Sequence, residues 1–223
     1  MTKNWVIAID GYSSTGKSSI SKVIAKRLGL IHMDTGALYR GITFYGLSHC
    51  QNADDSIDLQ QLIDDLPNIN LVFEKKNDEL QLFLNGTNID KEIRQPQVSA
   101  NVSQVAKLPE VRAFLLDTQR NIAKTGGVIM DGRDIGTVVL PNADFKFFLT
   151  ASTDERAKRR HLELLGFGEN ISIEEVKQNL IERDKIDSER EIAPLRQADD
   201  AILIDNSDLT KEQTIELMLS YIK

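Results

Sequence analysis

The chain has 223 residues, 41% of them hydrophobic and 27% charged, enough for one α/β domain or a core domain carrying insertions. Its formal net charge of −7 excludes a surface that attracts nucleic acid or anionic membrane as a whole, so a bound anion needs arginine and lysine gathered locally. Cys50 is the only cysteine, which excludes an internal disulfide and a cysteine metal cluster.

Residues 5–9 (WVIAI) form a short apolar run ending at Asp10-Gly11 and read as a buried parallel strand. A helix is expected over 17–28, with Ile20, Val23, Ile24 and Leu28 on one face and Gly29 ending it. Residues 30–33 read as a second strand and 36–47 as a second helix. From 69 to 89 the pattern alternates through Leu71, Phe73, Leu80, Leu82 and Leu84 to Asn85-Gly86, which predicts antiparallel strands with a tight turn. This small inserted β-unit is extended by a helix near 97–106. Residues 128–130, 145–149 and 201–204 read as further interior strands. Between 152 and 190 two helices open with capping boxes, Ser152/Glu155 and Ser172/Glu175, separated by the break Gly166-Phe167-Gly168. Thr210 with Gln213 opens the last helix in the same way. Strands separated by helices predict an α/β fold with a parallel sheet covered on both faces. The opening residues carry no signal-peptide apolar core, and no apolar run approaches the ~20 residues that span a bilayer. The expected setting is therefore the cytoplasm, where the Asn-x-Ser/Thr triplets at Asn85, Asn101 and Asn170 are chance matches.

Gly11-Tyr12-Ser13-Ser14-Thr15-Gly16-Lys17-Ser18 fits G-x-x-x-x-G-K-[ST], with a strand before it and a helix after it. Polyphosphate needs main-chain N–H groups turned inward, and the glycines let the loop bend that tightly while the helix N-terminus faces the anion. Lys17 would supply charge to the β/γ oxygens, and Ser18 a hydroxyl to Mg²⁺. No D-x-x-G or N-K-x-D follows, which argues against a GTPase switch. A kinase needs arginines for a second anion and for the group in transfer. Asp34-Thr35-Gly36 with Tyr39-Arg40, and Asp131-Gly132-Arg133-Asp134, both follow strands at their carboxyl ends, where open α/β sheets bind ligands. Arg156, Arg159 and Arg160 share one helix face, as do Arg183, Asp187 and Arg190. A charged helix face is ordinarily just solvated, Asp34 could be a helix cap and Tyr39 simple packing, so the clusters gain meaning from the loop beside them. His32, His49 and His161 show no metal spacing and read as surface or satisfied residues. On these residues alone, kinases for CMP, UMP, AMP or a non-nucleotide acceptor such as shikimate, and a non-catalytic ATP-binding regulator, all remain open.

Further stretches narrow the choice: Ser103-Gln104-Val105-Ala106, Val111-Arg112, Asp131-Gly132-Arg133-Asp134-Ile135-Gly136-Thr137-Val138-Val139, Glu155-Arg156-Ala157, Glu182-Arg183-Asp184 and Ala193-Pro194-Leu195. With the phosphate loop and residues 34–40, they make a chain that resembles the bacterial cytidylate kinases along nearly its whole length. The resemblance implies a P-loop fold with a five-stranded parallel sheet, in which 1–35, 107–151 and 196–223 form the core, 36–106 the monophosphate-binding region and 152–195 a helical lid. It implies that Gly11, Tyr12, Ser13, Ser14, Thr15, Gly16, Lys17, Ser18 and Ser19 hold ATP, with Mg²⁺ at Ser18. Ser103, Arg112 and Asp134 would read cytosine, whose N4 donates while N3 and O2 accept, and uracil would set an acceptor against Asp134. Arg40, Arg133 and Arg190 would hold the CMP phosphate, with Thr35 beside them, and Arg183 and Asp187 would meet the sugar. Arg156 and Arg160 would close over ATP, and Lys17, Arg133, Arg156, Arg160 and Arg190 would carry the transfer. The implied partners are ATP, CMP and dCMP, with no nucleic acid or membrane, and the implied state is a monomer. Three positions depart from the family pattern: Thr35 where Ser is common, Ile186 where Arg is common, and Tyr12 where Pro is frequent.

Overall fold

The computed structural model describes residues 4–76, 79–166, 168 and 170–222, so Phe167, the centre of the expected glycine break, lies outside the described residues. In chain order the elements are β1 (Val6–Gly11), α1 (Lys17–Leu28), β2 (Ile31–Asp34), α2 (Thr35–His49), α3 (Leu59–Asp65), β3 (Leu71–Lys76), β4 (Glu79–Leu84), β5 (Thr87–Asn88), α4 (Pro96–Ala106) and α5 (Pro109–Ala123). They continue with β6 (Val128–Gly132), β7 (Phe145–Thr150), α6 (Thr153–Gly166), α7 (Ile173–Glu189), β8 (Ile202–Asp205) and α8 (Lys211–Tyr221). A five-residue π-helical turn, Ile135–Val139, lies between β6 and β7. Met33–Thr125 forms one compact unit and the remaining described residues another.

The five-stranded parallel sheet runs β2-β6-β1-β7-β8, with β1 in the middle. The apolar runs of β1, β6 and β7 lack the alternation of a half-wet strand because both faces of these strands are covered. Ile7, Ile9, Ile129, Phe147, Leu149 and Ile204 pack with Ile20 and Ile24 of α1 and with Ile215 and Met218 of α8. Each such side chain contributes about 1.5–3 kcal/mol of transfer free energy. Gly29 stops α1 in a left-handed conformation (φ 69°), its N–H returning to the Ala25 carbonyl. Both halves of the capping boxes form at Ser172/Glu175 and Thr210/Gln213, and at the start of α6 the Glu155 N–H donates to Ser152 Oγ. Ala157, Leu164, Val176 and Leu180 join α6 to α7.

The register of β1 fixes the site. Ile9 lies opposite Asp131, Asp10 opposite Gly132, and Gly11 opposite Leu149. The carboxyl ends of the three central strands therefore deliver two aspartates and a glycine to one end of the sheet, where the strand order reverses.

In the unit Met33–Thr125, α2 buries Leu38, Ile42 and Tyr45, and the antiparallel sheet β3-β4-β5 buries Leu71, Leu82 and Leu84. Asn85 (φ 48°) and Gly86 (φ 82°) are both left-handed, as the expected two-residue turn requires. A Cβ on Gly41 of α2 would lie 2.9 Å from Leu71 Cδ1, so the glycine lets helix and sheet approach closely. The expected strands at 30–33 and 201–204 each sit one residue later, as Ile31–Asp34 and Ile202–Asp205. α3 and α5 carried no clear signal: α3 has only seven residues, and the buried face of α5 includes Arg112 and Gln119, which interrupt its apolar period.

Candidate active site

β1 ends at Gly11 (φ 145°), and α1 begins at Lys17 behind Gly16 (φ 88°). A Cβ at Gly11 would stand 2.0 Å from the Leu149 carbonyl oxygen, so the loop can leave the sheet only from a glycine. Ser14 adds a third left-handed residue (φ 60°). Thr15 Oγ1 donates to the Tyr12 carbonyl at 3.0 Å, and Asn206 Nδ2 donates to the Thr15 carbonyl at 2.9 Å from the end of β8. No side chain caps the N-terminus of α1, which leaves its first N–H groups directed at the loop interior, a ready seat for a polyphosphate.

Lys17 is buried, and its Nζ donates to the Tyr12 carbonyl at 2.5 Å and to Thr15 Oγ1 at 3.4 Å. Burial, with the neighbouring Arg133 charge, pushes its ammonium well below the ordinary lysine range, against the pull of Asp131, Asp10 and Asp184. An anionic ligand in the loop would reverse that push. Ser18 Oγ donates to Asp131 Oδ2 at 2.6 Å, and the other oxygen of Asp131 lies 2.6 Å from His32 Nε2. A hydroxyl and a carboxylate beside a phosphate loop are the hard oxygen donors that suit Mg²⁺, so these residues fit the cation that the motif implies. Asp10 is buried and accepts the N–H groups of Ile135 and Gly136, each at 2.7 Å. Burial pushes its carboxyl up to about 7, opposed by those two hydrogen bonds. One carboxylate thus joins the root of the phosphate loop to the turn that follows Asp134.

The arginines form an interlocked set. Arg133 Nε donates to Asp187 Oδ2 at 2.8 Å, and Arg190 Nη2 to Asp134 Oδ1 at 3.2 Å, while Arg190 Nε holds the Ala193 carbonyl at 2.7 Å. Burial alone would weaken the Arg133 charge, yet Asp187, Asp184 and Asp131 together raise its pKa. Burial likewise works against ionised Asp187, and Arg133, Arg183 and Arg190 outweigh it. Arg156 is buried: it donates to Asp184 Oδ2 at 2.5 Å and to the carbonyls of Ala151 and Ser13 at 3.0 and 3.3 Å. The three arginines of α6 diverge. Arg159 binds Asn206 and Glu155, and Arg160 donates to Glu163 Oε2 at 2.7 Å.

In the unit Met33–Thr125, Asp34 does not cap α2; its Oδ2 instead accepts from Arg40 Nη2 at 2.7 Å. A Cβ on Gly36 would lie 2.9 Å from Arg40 Nη1, so the glycine makes room for that pair. Thr35, Ser103 and Arg112 are all buried. The Arg112 guanidinium lies 5.5 Å over the Tyr39 ring and donates to the Ala106 carbonyl at 3.3 Å, so Tyr39 packs against a cation rather than against apolar side chains alone.

Sequence reasoning brought the segment Asp131-Gly132-Arg133-Asp134 to the site without giving Asp131 a role, and it did not place Asp10, Asp184 or Asn206 there. Asp10 and Asp131 were findable, since each is a charge at the end of an otherwise apolar strand run. Asp184 and Asn206 act through contacts with partners 28 and 191 positions away, which no local pattern carries. His32, expected to be a surface or satisfied residue, pairs with Asp131.

Comparison with known proteins gives the family. The family model for cytidylate kinase matches residues 7–223. The chain is 47% identical over 222 residues to the cytidylate kinase of Flavobacterium psychrophilum, covering 99% of this chain and 98% of that one. It is 43% identical over 222 residues to the cytidylate kinase of Bacillus cereus strain B4264, covering 100% and 97%. Among solved structures, an uncharacterized protein from Eubacterium ventriosum shares the fold with a TM-score of 0.54 at 12% identity, covering 99% of this chain and 98% of that one. With a phosphate loop at the centre of a five-stranded parallel sheet and relatives matched end to end, the chain belongs to the cytidylate kinase family.

Proposed function

We propose that this chain transfers the γ-phosphoryl group of ATP to CMP, and to dCMP, giving CDP or dCDP and ADP. The observation that carries the reading is the uncapped N-terminus of α1 with buried Lys17, close enough to Arg133 to feel its charge and so to the set Arg133, Asp134, Asp187 and Arg190. The donor anion has Lys17 and a helix N-terminus, and the acceptor anion has Arg133 and Arg190, each held in place by an aspartate.

The division of roles is the one that the family resemblance implies, and the chemistry of each group suits it. The loop from Gly11 to Ser19 binds the ATP phosphates through main-chain N–H groups, and Lys17 exchanges its main-chain acceptors for phosphate oxygens. Ser18, with Asp131 behind it, holds Mg²⁺, which when bound neutralises phosphate charge. Arg40, Arg133 and Arg190, with Thr35, bind the acceptor phosphate, and Arg183 and Asp187 bind its sugar. Ser103, Arg112 and Asp134 read the base: a carboxylate accepts from the cytosine N4 amino group, while a guanidinium donates to N3 and O2. Residues 36–106 are then the monophosphate-binding region and 152–195 the lid, from which Arg156 and Arg160 meet ATP. The acceptor phosphate is already an anion, so the chain supplies position and charge neutralisation instead of a nucleophile or strong base. Closure driven by substrate excludes water and prevents idle hydrolysis. The setting that suits these substrates is the cytoplasm, and the working unit is a monomer.

The test is ADP release from ATP with CMP, dCMP, UMP and AMP supplied in parallel, repeated with Asp134→Ala. CMP and dCMP should be turned over well and UMP and AMP poorly. Asp134→Ala should narrow the CMP-over-UMP ratio of kcat/KM by about 10-fold or more, the loss expected when a base-reading hydrogen bond goes. Turnover with no acceptor preference, or none with any acceptor, would overturn the assignment; an unchanged ratio would remove Asp134 from base reading.

A further inference from the structure

The contacts of Tyr12 are split between its backbone and its ring. Its carbonyl gathers Lys17 Nζ and Thr15 Oγ1, a task that any residue with the same backbone could perform. Its ring does something else. The ring stands edge-on to Phe148 of β7, with centroids 5.9 Å apart and planes at 86°, and the Arg156 guanidinium carbon lies 5.2 Å over its centroid. Phe148 fixes the ring, and the ring presents a face to the cation. Arg156 is held at its rim by Ala151, Thr153, Ser13 and Asp184, but these hydrogen bonds lie in the guanidinium plane and leave its flat faces to be set by packing.

We propose that the Tyr12 ring is a positioning residue that seats the Arg156 guanidinium against the phosphate-binding loop. A cation over an aromatic face is attracted by the ring quadrupole, more strongly when desolvated, and Arg156 is buried. A planar guanidinium held over one face of the ring keeps its in-plane donors, one of which reaches the Ser13 carbonyl, on the loop. The ring therefore couples the first variable position of the loop to the arginine at the start of α6. The tyrosine hydroxyl plays no part in this contact, so phenylalanine should serve as well and an aliphatic side chain should not. The proposal rests on the reading above that Arg156 meets the ATP phosphates.

Tyr12→Phe and Tyr12→Leu, made in the parent and in Arg156→Ala, test it. In the parent, Tyr12→Leu should lower kcat/KM for ATP about 3–10-fold while leaving KM for CMP within about twofold, and Tyr12→Phe should restore the parental value. In Arg156→Ala the same Tyr12→Leu change should have no further effect, since the ring would have nothing left to seat. Where turnover of Arg156→Ala is too slow to follow, ATP affinity by calorimetry closes the same cycle. The Arg156 Nε–H resonance in ¹⁵N spectra should carry a ring-current shift that survives Tyr12→Phe and disappears in Tyr12→Leu. An equal loss in both backgrounds would mean that the side chain acts through loop stiffness and would overturn the proposal, as would no loss in the parent. Parental kcat/KM for ATP in Arg156→Ala alone would instead defeat the underlying reading of Arg156 and the proposal with it, while parental acceptor preference would leave the CMP assignment standing.

Discussion

Lys17 shows at a single residue how the site sets function against stability. Its ammonium is buried and pushed well below the ordinary lysine range by desolvation. Such a group is held for a ligand and not for the fold, because a buried charge costs more than its two neutral acceptors return. Lys17→Ala should therefore cut kcat by at least about 100-fold, the scale of losing one donor to transition-state charge. Its thermal midpoint should stay at or above the parental value, since the mutation removes a desolvated charge. Steady-state turnover beside a melting curve checks both halves. Near-parental turnover would remove the phosphate-loop mechanism, and a collapsed melting curve would make Lys17 a structural residue.

At the scale of elements, local patterns in the sequence carry the frame and long-range contacts carry the details. The strand runs, the helix stops at Gly29, the capping boxes at Ser172 and Thr210 and the Asn85-Gly86 turn are all local, and all form as expected. The π-helical turn and the links from Asp10 to Ile135 and from Asn206 to Thr15 depend on partners distant in sequence. The motif residues were legible because each type matches a chemical demand; the way their charges interlock was not, because it is set by register. Gly11 shows the difference. The motif asks for a glycine so that the loop can bend, whereas the sheet asks for one because β7 passes within 2.0 Å of where a Cβ would stand. Gly11→Ala would have to push β1 and β7 apart at the register pair Gly11–Leu149. It should cost of the order of 3–5 kcal/mol, where an unhindered glycine-to-alanine change would instead stabilise by about 0.4–1 kcal/mol. Chemical denaturation measures it; a loss below about 1 kcal/mol would show that the backbone at this pair yields freely.

For the molecule as a whole, Asp10 ties global stability to pH. Its carboxyl titrates at about 7 in the folded chain, against an ordinary value of 3.8, chiefly because burial disfavours the anion. Between those two values the folded chain holds a proton that the unfolded chain has released, so this group favours folding most below pH 3.8 and loses that contribution as pH rises through about 7. At 1.36 kcal/mol per pKa unit, a displacement of about three units is worth of the order of 4 kcal/mol across the window. The remaining carboxylates of an acidic chain titrate lower and add their own slopes, so the signal lies in a difference. Asp10→Asn keeps the shape and one acceptor while abolishing the titration. Unfolding free energies from urea titrations between pH 4 and 8 should show the parent losing stability relative to Asp10→Asn as pH rises, with the difference levelling off above about pH 8. The anion also accepts both N–H groups of the turn after Asp134, so the protonation state that is easier to fold is the one that holds the site less firmly. A difference that is flat with pH would mean that Asp10 stays ionised throughout, with the Ile135 and Gly136 N–H groups and Lys17 offsetting its burial in full.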